Sequence, residues 1–195
     1  MQKTHDGLSL VEDREVAAAY IDTNADLSVY DKIMILDCHV AFKKDWEKKT
    51  KTGSRIRVSS SDMDRIRADT AALLRDVFIE KLEEKDGYEI VNAAGDDVLL
   101  VRPAIIDLDI AAPDSMSAGR SRSYTTTAGS ATLYIELYDS VTGDILARAA
   151  DRKVARSTAG HMSYTNRVTN RADARRILGS WAELLRSKLD EFHGK

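Results

Sequence analysis

Cysteine is nearly absent: Cys38 stands alone among 195 residues, which excludes an intramolecular disulfide and any zinc cage built on cysteines. The scarcity does not fix a compartment, because many envelope proteins also lack disulfides. No apolar run reaches the roughly 18 residues of a membrane-spanning helix, and no signal-peptide pattern opens the chain. Ile35-Leu36-Asp37-Cys38 has the outline of a lipobox, but Asp37 stands where a small residue is required, so Cys38 reads as an ordinary strand residue. Phosphate-loop and dinucleotide patterns (G-x-x-x-x-G-K-[ST], G-x-G-x-x-G) are also missing, and no cofactor is expected. The histidines at 5, 39, 161 and 193 are scattered with no H-x-x-x-H pair. Gly160-His161-Met162-Ser163-Tyr164 falls short of a nucleophile elbow because tyrosine replaces the final glycine.

What the chain does contain suffices for one core. At 43% apolar residues and a net charge of −3, a single α/β domain over residues 30–195 is expected, preceded by an acidic extended arm over 1–29. Charge is unevenly distributed: residues 1–42 hold three basic and eight acidic side chains, whereas 43–57 hold seven basic and two acidic.

The segment Ala131 to Lys153 reads as a β-hairpin. Leu133, Ile135 and Leu137 alternate with Thr132, Tyr134, Glu136 and Tyr138, the period of two that buries one sheet face. Asp139-Ser140-Val141-Thr142-Gly143 supplies a type I turn ending in a residue of positive φ. Counting back predicts Leu137 opposite Ile145, Ile135 opposite Ala147 and Leu133 opposite Ala149, with Tyr134 beside Arg148 on the outer face. The alanines leave room for a helix.

Two amphipathic helices are expected, near 61–85 and 170–192. The first carries Met63, Ile66, Leu73, Leu74, Val77, Phe78 and Leu82, with N-cap oxygens from Ser60, Ser61 and Asp62 and a stop at Gly87. The second carries Ile177, Trp181, Leu184, Leu185, Leu189 and Phe192. Residues 31–42 read as one strand, Tyr88 to Val91 as a short one, and Asp97 to Ile110 as a longer one, with Pro103 at a bulge or an edge. The order β-α-β-β-β-β-α, with one apolar stripe per helix, predicts a two-layer α+β sandwich: one mixed sheet with both helices on the same face.

Three constellations are candidates for chemistry. Asp107 and Asp109 share a strand face under strict alternation and are weak candidates for a divalent cation or acid–base work, with solvation of the outer face as the plainer reading. Arg120 and Arg122, alternating with serine and tyrosine, form an anion-binding face if extended, and Arg148 joins them from the hairpin. Edge arginines also protect a sheet from aggregation. A basic loop holding Lys43, Lys44, Trp46 and Lys48 is a secondary contact surface or a solvated loop.

Several segments together resemble the DUF 3313 family of bacterial envelope lipoproteins. The resemblance lies in ADLSVYDK at 25–32, FKKDW at 42–46, DVLLVRPA at 97–104, AGRSR at 118–122 and YDSVTGDILARAADR at 138–152. It implies a periplasm-facing lipoprotein of the outer membrane or cell envelope, here trimmed to its mature soluble part with Met1 added for expression. It supplies no catalytic residues. The element order is also similar to the N-terminal domain of TolB, a fold-level likeness that transfers no activity.

These features together predict a non-catalytic binding or assembly module for an envelope protein or an anionic envelope polymer, with no nucleic acid partner. The alternative is a metal-dependent or other hydrolase using Asp107, Asp109 and His161.

Overall fold

The computed structural model describes residues 3–46, 58–110, 123–125, 127–156, 163–165 and 167–194. Its strands are β1 (Ser9–Val11), β2 (Ala18–Ile21), β3 (Lys32–Ile35), β4 (His39–Phe42), β5 (Glu89–Ile90), β6 (Val98–Ile110), β7 (Ser123–Thr125), β8 (Thr127–Asp139), β9 (Ile145–Arg156) and β10 (Ser163–Thr165). The helices are α1 (Ser60–Glu83) and α2 (Arg167–His193). One mixed sheet runs β1-β2-β9-β8-β6-β3-β5, with β4 also paired to β6, and β7 and β10 form a separate ribbon. The segment read as an extended arm supplies β1 and β2, which continue the sheet beyond β9.

Both helices pack on one sheet face, as the single apolar stripe on each requires. Leu74, Val77, Phe78 and Leu82 of α1 join Leu178, Trp181, Ala182 and Leu189 of α2, Ile33 and Ile35 of β3, and Leu133, Ile135 and Leu137 of β8 in one buried cluster. The predicted extents of both helices hold to within a few residues. The cap of α1 lies one residue earlier than expected. Ser59 Oγ accepts from the Asp62 N–H at 3.1 Å while Asp62 Oδ2 accepts from the Ser59 N–H at 3.0 Å, so a Ser-x-x-Asp box satisfies two donors reciprocally.

The end of α1 is steric. Lys85 and Asp86 take left-handed φ values of 53° and 55°, and the Tyr88 N–H then returns to the Leu82 carbonyl at 2.8 Å. A Cβ at Gly87 would lie 1.9 Å from that same carbonyl oxygen. Gly87→Ala is therefore expected to destabilise the domain by ~1–3 kcal/mol through forced backbone displacement. An unchanged urea midpoint would show that the turn can open without cost.

Three strand expectations need correction. Residues 31–42 form two strands, because the interruption at Leu36 to Cys38 faces Arg102 and Pro103 of β6. Proline offers no N–H to a parallel neighbour, so the ladder stops there and resumes at His39 opposite Ala104. Pro103 itself is buried in an interior strand, neither on an edge nor at a bulge of its own. The hairpin register is shifted by two from the count: Leu137 pairs with Ala147, Ile135 with Ala149 and Leu133 with Asp151. Two single-residue steps add up to it: the turn is one residue longer than counted, so that Tyr138 pairs with Ile145, and an irregularity beyond it leaves Leu146 as an extra, buried residue. A shift of two preserves the faces, so Ala147 and Ala149 still look inward.

Candidate functional site

The helix-free face of the sheet carries the most developed polar constellation among the described residues. Tyr134, Glu136 and Tyr138 succeed one another at every second position of β8, so all three project to that face. Glu136 is opposite Arg148 of β9, and Arg102 of β6 is opposite Glu136 from the other side. The carboxylate is thus at the centre of a three-strand cross-section. Tyr134 Oη donates to Oε1 at 2.9 Å, Tyr138 Oη to Oε2 at 2.7 Å and Arg148 Nε to Oε1 at 3.0 Å. Arg102 Nη1 stands 3.6 Å from Oε2. Arg148 also reaches Asp6 in the N-terminal segment at 2.7 Å, and its guanidinium lies 6.0 Å from the Tyr134 ring centroid.

Enclosure and pairing oppose each other at Glu136, which is only 7% exposed. Burial pushes its carboxyl up, but the hydrogen bonds from Tyr138, Tyr134 and Arg148 outweigh that and hold it below its ordinary range. Burial and the bond to Glu136 raise the Tyr134 phenol to about 12, and Tyr138 shifts the same way for the same reasons. At neutral pH the cluster therefore holds two protonated phenols and an ionised carboxylate that accepts three hydrogen bonds.

Of the expected site residues, only some are among the described ones. Arg148 takes its place on the outer face, where it holds two carboxylates, so an incoming anion would compete with Glu136 and Asp6. Arg120 and Arg122 lie outside the described residues, as do Lys48 and His161. Lys43 is 3.5 Å from Asp109, and Lys44 is exposed. Trp46 is not a surface aromatic: it is 4% exposed, stacks on Phe42 with centroids 4.4 Å apart, and donates from Nε1 to the Ile110 carbonyl at 3.2 Å. With Val58 and Met63 it forms a second small core. The reading of the basic loop as an aromatic-bearing contact surface fails at that residue.

Asp107 has φ 52°, and the β6–β8 register shifts between Ile106 and Asp109. The period-two count that aligned the two aspartates cannot be carried across that bulge. Among the described residues no group of three or more potential metal ligands comes together. Cys38 sits at the break between β3 and β4, where burial pushes its thiol up to about 11 and keeps it protonated at neutral pH.

Sequence reasoning missed Glu136, taken there as one more outward polar position. The signal was present in Tyr134-x-Glu136-x-Tyr138: two phenols at i±2 share a face with the carboxylate and can both reach it.

The model of the DUF3313 family, described as a protein of unknown function, matches residues 4–185. No curated protein matches the sequence. Among solved structures, the chain is similar to a PelC dodecamer from Paraburkholderia phytofirmans at 9% identity, covering 85% of this chain and 96% of that one with a TM-score of 0.41. It is similar to a protein of the DUF330 family model from Xanthomonas campestris at 14% identity, covering 87% and 89% with a TM-score of 0.42. A neuraminyllactose-binding hemagglutinin homolog from Helicobacter pylori shows 11% identity over 98% and 94% with a TM-score of 0.41. Likenesses at this level bring neither an activity nor a partner to this chain.

Proposed function

The chain belongs to the DUF3313 family, and from that premise we propose that it is a non-catalytic binding module of the bacterial cell envelope. In this reading the helix-free sheet face docks a protein partner. The observation that carries the reading is the Glu136 cluster: an ionised, nearly enclosed carboxylate held by two tyrosines and an arginine on a face that no described helix covers. Around it, Met34, Leu100, Ala104, Tyr20 and Ala150 are half-buried, so apolar surface surrounds a fixed polar centre. Rigid aromatic and arginine side chains with an apolar surround are the composition of an interface core. Envelope placement is supported by the family resemblance.

The anionic-ligand reading of Arg120, Arg122 and Arg148 remains part of the proposal as a contributing surface, with Arg102 as its exposed member on the outer face. The hydrolase alternative has less support, since the irregularity between Ile106 and Asp109 interrupts the alternation on which the Asp107–Asp109 pairing rests; its third residue, His161, lies outside the described residues.

The test is photo-crosslinking in the producing cell, with a benzophenone side chain at Met34 or Arg152 on the outer face and at Val141 in the exposed hairpin turn as control. A discrete protein adduct from the outer-face positions, absent from Val141 and lost on Arg102→Glu, is the expected result. Equal labelling from all three positions, or retention on an anionic polysaccharide with no protein adduct, overturns it. Saturable turnover in a hydrolase screen, lost in Asp107→Asn, would overturn the non-catalytic reading.

A further inference from the structure

The opposite, helix-covered face is incompletely filled. Between β2, β8 and β9 and the C-terminal half of α2 lies a cavity of about 510 Å³, within the ~300–1,000 Å³ range of small-molecule sites. Its origin is legible in the side chains. Ala19 pairs with Ala149, and Ala147 lies two residues along β9, so three methyl groups floor a space that α2 spans from above with Trp181, Leu185 and Leu189. Larger residues on the same face of β8, Leu133, Ile135 and Leu137, form its side wall. Water inside so apolar a space finds few hydrogen-bond partners, and an alkyl chain displaces it favourably.

The mouth adds two facts. Val11 and Phe192, both lining the cavity, are 40% and 44% exposed, so the apolar lining continues to the surface. The rim charge is one-sided. Lys188 Nζ is shared by two carboxylates that line the rim with it, Asp13 at 3.2 Å and Glu191 at 3.4 Å, and by Glu15 just outside the lining at 3.0 Å, and Glu12 also lines the rim. Three carboxylates on one ammonium, with a fourth nearby, leave a net negative entrance. The other lining charges are already engaged: Asp151 accepts from Trp181 Nε1, and Arg148 holds Glu136 and Asp6.

We propose that this cavity is a binding site for a single alkyl chain bearing a cationic head group, the chain seated over Ala147 and Ala149 and the head held at the Glu12–Asp13–Glu191 rim. Anionic amphiphiles of the same chain length are disfavoured by the same rim. The site lies on the other side of the sheet from the proposed docking face, so it can fail or stand independently of that reading.

Trp181 lies in the wall and is one of only two tryptophans, so a Trp46→Phe background makes it the sole reporter. Dodecyltrimethylammonium, dodecyl maltoside and dodecanoate are titrated below their micelle concentrations, with far-UV circular dichroism confirming the fold at each point. The expected result is a saturable Trp181 fluorescence change with dodecyltrimethylammonium and at least tenfold weaker binding of dodecanoate. The gap should narrow when Glu12→Gln removes a rim charge, and should shrink with added salt. Ala149→Leu fills the floor and is expected to abolish the response while raising the thermal midpoint; Ala147→Leu serves if that variant misfolds. A response that survives both fillings places binding elsewhere and overturns the proposal. Equal affinity for dodecanoate overturns the head-group assignment, and no saturable change with any of the three overturns the site.

Discussion

Trp181→Ala is expected to lower the stability of the domain by ~3–5 kcal/mol, the range for truncating a large buried aromatic. The ring is 3% exposed and lies where α2 crosses the inner face of β8 and β9. Its Nε1 donates to Asp151 Oδ2 at 2.8 Å, and Lys153 Nζ stands 5.8 Å from the ring centroid. Alanine would remove the apolar area, merge the lost volume with the neighbouring cavity and deprive a partly enclosed carboxylate of its donor. Trp181→Phe separates these terms, because it keeps most of the apolar body and loses the hydrogen bond, at a cost of about 1 kcal/mol. Chemical denaturation of the three proteins is the measurement. An alanine variant with the wild-type midpoint would place Trp181 outside the core and with it the seat of α2 on the sheet.

That seat was readable in the sequence because it rests on periodicity. Trp181 and Leu189 recur on one stripe of α2, and Leu133, Ile135 and Leu137 alternate on β8, so the mutual burial of the two elements follows from counting. Counting fails where the backbone departs from a fixed period. A turn one residue longer than counted and an extra residue at Leu146 together move the hairpin register by two, Pro103 divides the strand beside it, and the positive φ of Asp107 interrupts the alternation on which its pairing with Asp109 was counted. None of these is a composition signal; each depends on which partner strand the residue meets.

The polar and basic positions were harder to read for a different reason. Exposure of a charged or aromatic side chain is decided by tertiary neighbours, not by its own element. Trp46 follows two lysines, yet Phe42, Val58 and Met63 enclose it. Glu136 is an outward residue on an amphipathic strand, yet two flanking tyrosines and two cross-strand arginines shut out water. The alanines at 147 and 149 were read as space for a helix; α2 does cross there, but at a height that leaves a cavity beneath it.

Glu136→Gln is expected to cost ~2–4 kcal/mol at neutral pH, because it leaves donors from Tyr134, Tyr138 and Arg148 facing a neutral group that can accept at only one end. The cost should depend on pH in a defined direction. The folded-state carboxyl lies below its ordinary range, whereas in the unfolded chain it titrates near ~4.3. The stabilisation it supplies is therefore complete above that unfolded value and is lost as pH falls through the lower folded one. The difference in unfolding free energy between wild type and Glu136→Gln should accordingly be largest near neutrality and diminish below about pH 4. Other carboxylates are common to both proteins and largely cancel in the difference; Asp6, which shares Arg148 with Glu136, is the exception. An Asp6→Asn background removes that coupling. A gap between wild type and Glu136→Gln that is as wide at pH 3 as at pH 7 in that background would mean that the residue matters for its shape and not for its charge, and the outer face would lose the fixed carboxylate on which its role as a docking surface is built.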